Sequence, residues 1–196
     1  MTKLLLASTS PARKKLLSEA GIVFETIAPG VDEDEVVAQL APLNAHDLTL
    51  WLARAKAKAV NGEDLVLGCD SALWFQGEIL GKPKAPDIAT KRWQQMRGNF
   101  GELFSGHYLV DHQSGREVGL VTSTKVHFAD LSDEDIEKYV ATKEPLEVAG
   151  AFTIDGLGGA FVERIEGDYH TVVGLSLVAL RKMMNELGRD YLSLWR

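Results

Sequence analysis

Residues 65–75, Leu-Val-Leu-Gly-Cys-Asp-Ser-Ala-Leu-Trp-Phe, constrain the chain more than any other segment, because eleven nearly apolar positions carry one charge, at Asp70. The run alternates and ends at the turn residues Gln76-Gly77, so it reads as a buried strand leading into a second short strand over Glu78 to Leu80. An unpaired carboxylate in such a strand costs several kcal/mol. Any fold of this chain must therefore bring something to Asp70. A Lys or Arg partner is the structural answer; a divalent metal, or a water that Asp70 deprotonates, is the catalytic one.

Elsewhere strands and helices alternate. Leu4 to Ala7 is a short apolar strand stopped by Ser-Thr-Ser-Pro, and Ala12 to Ala20 has helical spacing closed by Gly21. Val23 to Ala28 reads as a strand and Pro29 to Glu35 as an acidic loop. Asn44 caps a helix with Leu48, Trp51, Leu52, Ala55 and Ala59 on one face, ended by Asn61-Gly62. Asp87 introduces a helix to Arg97, closed by Gly98. Phe104 to Val110 and Val118 to Phe128 read as antiparallel strands, and Ser132 with Asp135 opens a capping-box helix to about Thr142. A glycine-rich stretch from Gly150 to Gly159, an extended Ala160 to Ile165 and a last helix opened by Ser176 follow. The expected class is α/β with a mixed sheet.

Composition narrows the function. The 196 residues carry 21 Lys and Arg against 28 Asp and Glu, a net charge of -7, which argues against coating nucleic acid or anionic membrane. The lone thiol, Cys69, builds neither a disulfide framework nor a zinc cluster and suits a reducing cytoplasm. The apolar start is too short for a signal peptide, and no stretch approaches the ~18 apolar residues of a membrane span.

Several residues are candidates for chemistry. In Ser8-Thr9-Ser10-Pro11-Ala12-Arg13-Lys14, Pro11 suits the first helical position; the helix N-terminus, the Ser8 and Ser10 hydroxyls and Arg13 can converge on a phosphate. The alternative is a capped helix with solvated basic residues. The segment is not a Walker loop. Asp32-Glu33-Asp34-Glu35 is by default a solvated acidic run, although Glu33 is also a hard oxygen ligand for Mg²⁺ or Mn²⁺. Lys56 and Lys58 fall on an amphipathic helix, where a surface lysine is the default, while Gly81-Lys82-Pro83 sets a cation in a constrained turn. Cys69 reads as a small buried hydrophobe. Gly156-Leu157-Gly158-Gly159 is a weak dinucleotide signal, and five histidines without H-E-x-x-H spacing disfavour a zinc hydrolase.

Leu5-Leu6-Ala7-Ser8-Thr9-Ser10-Pro11-Ala12-Arg13, Val31-Asp32-Glu33, Ala55-Lys56-Ala57, Gly68-Cys69-Asp70-Ser71, Gly81-Lys82-Pro83, Ala149-Gly150-Ala151-Phe152 and Ile165-Glu166-Gly167-Asp168-Tyr169 stand in order and spacing from residue 4 to about 187. Together they resemble the Maf-like family of nucleoside triphosphate pyrophosphatases. The resemblance implies one ITPase-like domain over residues 1–196, elongated and two-lobed with a nucleotide cleft between the lobes. It also implies a house-cleaning hydrolase that releases pyrophosphate with Mg²⁺ or Mn²⁺. Ser8, Ser10, Arg13, Lys56 and Lys82 match substrate-binding positions, Asp70 the proton acceptor, and Glu33 with Asp70 the metal ligands. The implied partners are a nucleoside triphosphate and at most a second copy in a homodimer.

Ala12, Ser71 and Asp155 fall on specificity positions. Members acting on dTTP and UTP carry Arg, Thr and Gln there; members resembling 7-methyl-GTP pyrophosphatases share the acidic residue at the last position but have a bulky aromatic in place of Ala12. An ionised Asp155 accepts hydrogen bonds only, so it favours a base edge that offers donors, as guanine does. The competing reading is a nucleotide-binding protein of septum or cell-division control that kept the cleft and lost turnover. A phosphomonoesterase, releasing orthophosphate, is the third.

Overall fold

The computed structural model describes residues 2–38 and 44–196; Met1, part of the N-terminal reading above, lies outside them. Seven strands form one mixed sheet: β1 (Leu4–Ala7), β2 (Phe24–Ile27), β3 (Leu65–Phe75), β4 (Glu78–Leu80), β5 (Phe100–Asp111), β6 (Arg116–Phe128) and β7 (Val162–Glu166). Their order is β2-β1-β3-β5-β6-β7, with β4 paired to β3. β1 runs parallel to both β2 and β3, whereas β3–β4 and β6–β7 are antiparallel. The helices are α1 (Pro11–Glu19), α2 (Glu33–Ala38), α3 (Ala45–Lys58), α4 (Pro86–Met96), α5 (Asp133–Ala141), α6 (Tyr169–Val173) and α7 (Leu177–Glu186).

Local chemistry sets most boundaries. Ser10 caps α1 by accepting from the Arg13 amide, Pro11 occupies the first turn, and Gly21 at φ 71 lets the chain leave the helix. Asn44 accepts from the Asp47 amide at 2.8 Å to open α3, and Ser132 with Asp135 makes the expected capping box of α5. Five expectations need correction. The acidic segment from Pro29 to Glu35 is not all loop, because the Asp32 carboxylate accepts from the Glu35 amide at 3.0 Å and starts α2 at Glu33. α4 begins at Pro86, one residue before Asp87, and β5 begins at Phe100 rather than Phe104. The glycine-rich stretch includes two short 3-10 turns, Ala149–Ala151 and Leu157–Phe161, and α6 was not anticipated.

The contacts divide the chain into two compact units. The first comprises residues 1–70, 105–122 and 174–196; the second comprises 71–104 and 123–173. In the second, Trp93 is fully buried, packs edge-on against Phe128, Tyr139 and Phe161 at 5.6–5.9 Å between ring centroids, and donates its indole N–H to the Ala151 carbonyl at 2.7 Å. In the first, Ala53 and Ala57 of α3 pack with Ala7, Val60, Val66 and Tyr108. Small residues on both sides bring α3 close to the strands. A Cβ at Gly68 of β3 would meet the Ala53 carbonyl oxygen and stand 2.7 Å from the Ala57 amide nitrogen, and one at Gly106 of β5 would meet the Thr49 carbonyl.

Those obstacles are helix backbone and cannot swing aside. Gly68→Ala is expected to destabilise the protein by ~1–3 kcal/mol through forced separation of α3 from β3. Urea unfolding checks this as a lower midpoint at unchanged m-value.

Candidate functional site

The register of the parallel strands locates the site. Ala7, the last residue of β1, pairs with Gly68, so the Ser8 loop at the carboxyl end of β1 lies level with Asp70, two residues past Gly68 in the middle of the longer β3. Lys56, in the last turn of α3, faces β3 across the close contact at Gly68. Its Nζ lies 2.6 Å from Asp70 Oδ1 and 2.7 Å from Glu33 Oε1. Asp70 and Lys56 are only 8% and 7% exposed. The cation demanded by the buried carboxylate is thus Lys56, and the expectation of a surface lysine at this position is overturned. Lys58 behaves as expected, half-exposed and paired to Glu117 at 2.7 Å.

Asp70 and Glu33 share the Lys56 ammonium. Burial pushes the Asp70 carboxyl above the ordinary aspartate value of 3.8, the charges of Lys56 and Arg13 and the Lys56 hydrogen bond pull the other way, and Glu33 adds to the rise. Adjacent Cys69 is fully buried, and burial pushes its thiol up to about 11. It is therefore no thiolate nucleophile at neutral pH.

Arg13 is buried as well. Its Nε donates to the Gly174 carbonyl at 2.8 Å, and one terminal nitrogen donates to the Cys69 carbonyl at 3.0 Å and to Ser8 Oγ at 3.4 Å. The solvated-basic alternative fails here, because this guanidinium ties the Ser8 loop to the residue preceding Asp70. Ser8 Oγ also accepts from the Ser10 amide at 3.2 Å, and Ala12 is partly exposed in the first turn of α1. Ser8, Ser10, Arg13, Glu33, Lys56 and Asp70 all belong to the first unit.

Lys82, Ser71 and Asp155 belong to the second unit. Lys82 is exposed in a turn whose neighbour Gly81 accepts from the Gly150 amide at 3.3 Å and from Arg92. Ser71 is partly exposed on β3. Asp155, partly exposed, has no ion pair or side-chain hydrogen bond among the described residues.

The Glu33–Asp70 donor set suits a divalent cation. Both are hard oxygen donors already arranged around one positive charge, and Mg²⁺ characteristically takes one or two carboxylates with phosphate and water oxygens completing its shell. Among the described residues no group of three or more His, Cys, Asp and Glu side chains is placed to hold a metal by itself.

The chain belongs to the Maf-like protein family, whose sequence profile matches residues 3–187. It is 53% identical to a nucleoside triphosphate pyrophosphatase of Salinispora tropica, covering 98% of this chain and 87% of that protein. A protein of the same name from Corynebacterium jeikeium is 48% identical, over 98% and 99% of the two chains. Among solved structures, a nucleoside-triphosphatase described as a dITP/XTP pyrophosphatase from Mycobacterium abscessus aligns with a TM-score of 0.45 and 18% identity, over 95% of this chain and 98% of that one. No helix among the described residues is long and apolar enough to cross a membrane.

The shared ammonium makes the Asp70 titration sensitive to each neighbour. By carbon-13 NMR, Asp70 should titrate above 3.8 in the wild type, lower in Glu33→Gln, which removes a negative neighbour, and higher in Lys56→Met, which removes the counter-charge. Equal midpoints in all three proteins would refute this electrostatic description.

Proposed function

We propose that this protein hydrolyses nucleoside triphosphates between the α and β phosphates, giving a nucleoside monophosphate and pyrophosphate. The observation that carries the reading is the buried Asp70 carboxylate, held by Lys56 in the middle of β3, level with the serine-rich loop that follows β1. The named relatives support the same reaction.

Asp70 takes the proton of the attacking water. Its raised affinity for protons makes it a better acceptor than an exposed aspartate. Lys56 fixes the carboxylate's orientation by holding Oδ1, so the second oxygen is the one that meets water. Ser8 and Ser10 contribute hydroxyls to phosphate binding, and Arg13 lends positive charge from a fixed position. Lys82, exposed after β4, supplies positive charge for phosphate oxygens. Glu33 and Asp70 would hold Mg²⁺ or Mn²⁺, which supplies neutralisation of phosphate charge when bound. No covalent intermediate is needed. The proposed setting is the cytoplasm, as a house-cleaning enzyme, with a homodimer as the assembly.

Asp155 extends the proposal to substrate choice. An unpaired carboxylate accepts hydrogen bonds, and guanine offers N1–H and the 2-amino group. Uracil and thymine offer one N–H flanked by carbonyls that would repel it. Ala12, partly exposed in the first turn of α1, and Ser71, partly exposed on β3, are both small residues, which suits a bulkier or modified base.

Two measurements test this. Asp70→Asn should stay folded and lose at least ~10²-fold in turnover, with pyrophosphate and not orthophosphate as the wild-type product; near-wild-type pyrophosphate release by the folded variant would remove Asp70 from the chemistry. Asp155→Gln should shift the GTP-to-UTP ratio of kcat/KM by roughly 10-fold towards UTP. A wild-type preference for UTP or dTTP over guanine nucleotides would refute the role given to Asp155.

A further inference from the structure

The second unit holds a partly buried polar cluster that the proposed chemistry does not use. α5 ends at Ala141 with Thr142 as its C-cap, Lys143 takes a left-handed conformation at φ 66, and the Glu144 amide donates to Thr142 Oγ1 at 3.2 Å. The Glu144 carboxylate accepts four hydrogen bonds. Tyr139 Oη donates at 3.1 Å, Thr153 Oγ1 donates through a short bond, and the amides of Gly158 and Leu157 donate at 2.9 and 3.0 Å. Tyr139 Oη also accepts from the Thr153 amide at 3.3 Å, closing the ring of contacts.

These donors bracket Asp155. Residues 153, 157 and 158 are all tied to one carboxylate, so the backbone between them spans a fixed distance with Asp155 at its bend. The backbone wraps so closely that a Cβ at Gly156 would stand 2.6 Å from Glu144 Oε2. Burial works to raise the Glu144 carboxyl, but the bonds from Thr153, Leu157, Gly158 and Tyr139 outweigh it and hold the group below its ordinary value of 4.5. The acceptor is thus ionised at neutral pH and binds its four donors with charge-assisted strength.

We infer that Glu144 is a positioning residue for nucleotide selectivity, holding residues 153–158 in the conformation that leaves the Asp155 carboxylate unpaired and available to a base. This rests on the reading of Asp155 as the group that meets the base. It adds a selectivity determinant that does not itself touch substrate.

Binding of α,β-methylene GTP and α,β-methylene UTP, measured by calorimetry on the full chain, tests the inference without reliance on turnover. Wild type should bind the GTP analogue more tightly. Glu144→Gln keeps the shape but replaces one acceptor oxygen by an amide that opposes the Leu157 N–H, so the Kd ratio should fall by roughly 10-fold, mainly through weaker GTP-analogue binding. Thr153→Val, which removes one donor and leaves the carboxylate in place, should give a smaller loss of about 3-fold. Hydrogen exchange in peptides covering 153–158 should accelerate in both variants. The double variant Glu144→Gln/Asp155→Gln should match Asp155→Gln alone, because the two residues act in series. If the loop loosens while both single variants keep the wild-type Kd ratio, and Asp155→Gln changes it, Glu144 is structural only and the inference is overturned with the Asp155 reading intact. If Asp155→Gln also leaves the ratio unchanged, both are overturned.

Discussion

The close approach of α3 to β3 governs the candidate site. Asp70 is buried by its strand, and a buried carboxylate without a counter-charge would destabilise the fold by several kcal/mol. Lys56 reaches it because Gly68 presents no side chain where Ala53 and Ala57 pass, so a packing contact between small residues sets up an electrostatic one in the same turn of the helix. The same ammonium holds Glu33 and thereby ties α2 to β3. A pair of this kind need not be the most stabilising solution for a core, since apolar replacements of buried ion pairs are often as stable.

Two acceptors organise the two units, in opposite ways. In the first, burial of Asp70 outweighs the charges of Lys56 and Arg13, and its proton affinity rises. In the second, Glu144 has four donors and its proton affinity falls. A proton acceptor benefits from the first condition, whereas a group that shapes a loop benefits from the second, because it stays ionised across the whole working range of pH. Arg13 plays the complementary part with donors, spending its guanidinium on the carbonyls of Gly174 and Cys69 and on Ser8, so it joins the Ser8 loop to the strand bearing Asp70.

Much of the architecture follows from local rules. Strand β3 and its turn, the Ser10-Pro11 start of α1, the Asn44 cap of α3 and the Ser132 box of α5 are decided within four or five residues, and the structure shows each of them. The misplaced elements have equally local causes that are harder to read. Asp32 serves both as part of an acidic run and as a cap, and Pro86 starts α4 without any side-chain cap to announce it. The buried role of Lys56 was hidden because a lysine on an amphipathic helix is ordinarily solvated. Only its position on the Ala53–Ala57 face, opposite a glycine-bearing strand, distinguishes it from Lys58. Glu144 gave no signal, since a glutamate before proline at a helix end is usually exposed.

By itself, then, the sequence determined that a carboxylate lies in an apolar strand and must be compensated, that a serine-rich turn opens the first helix, and that the residues of a Maf-like family member stand at their positions. Those facts depend on composition and short-range spacing. Which cation meets Asp70, where the Arg13 guanidinium is spent and what holds the loop around Asp155 were decided only by tertiary structure. They join residues 14, 56 or 161 positions apart, or gather four donors on a single carboxylate. Such contacts depend on how closely backbones pack, and that closeness is visible only when helix and strand are placed together.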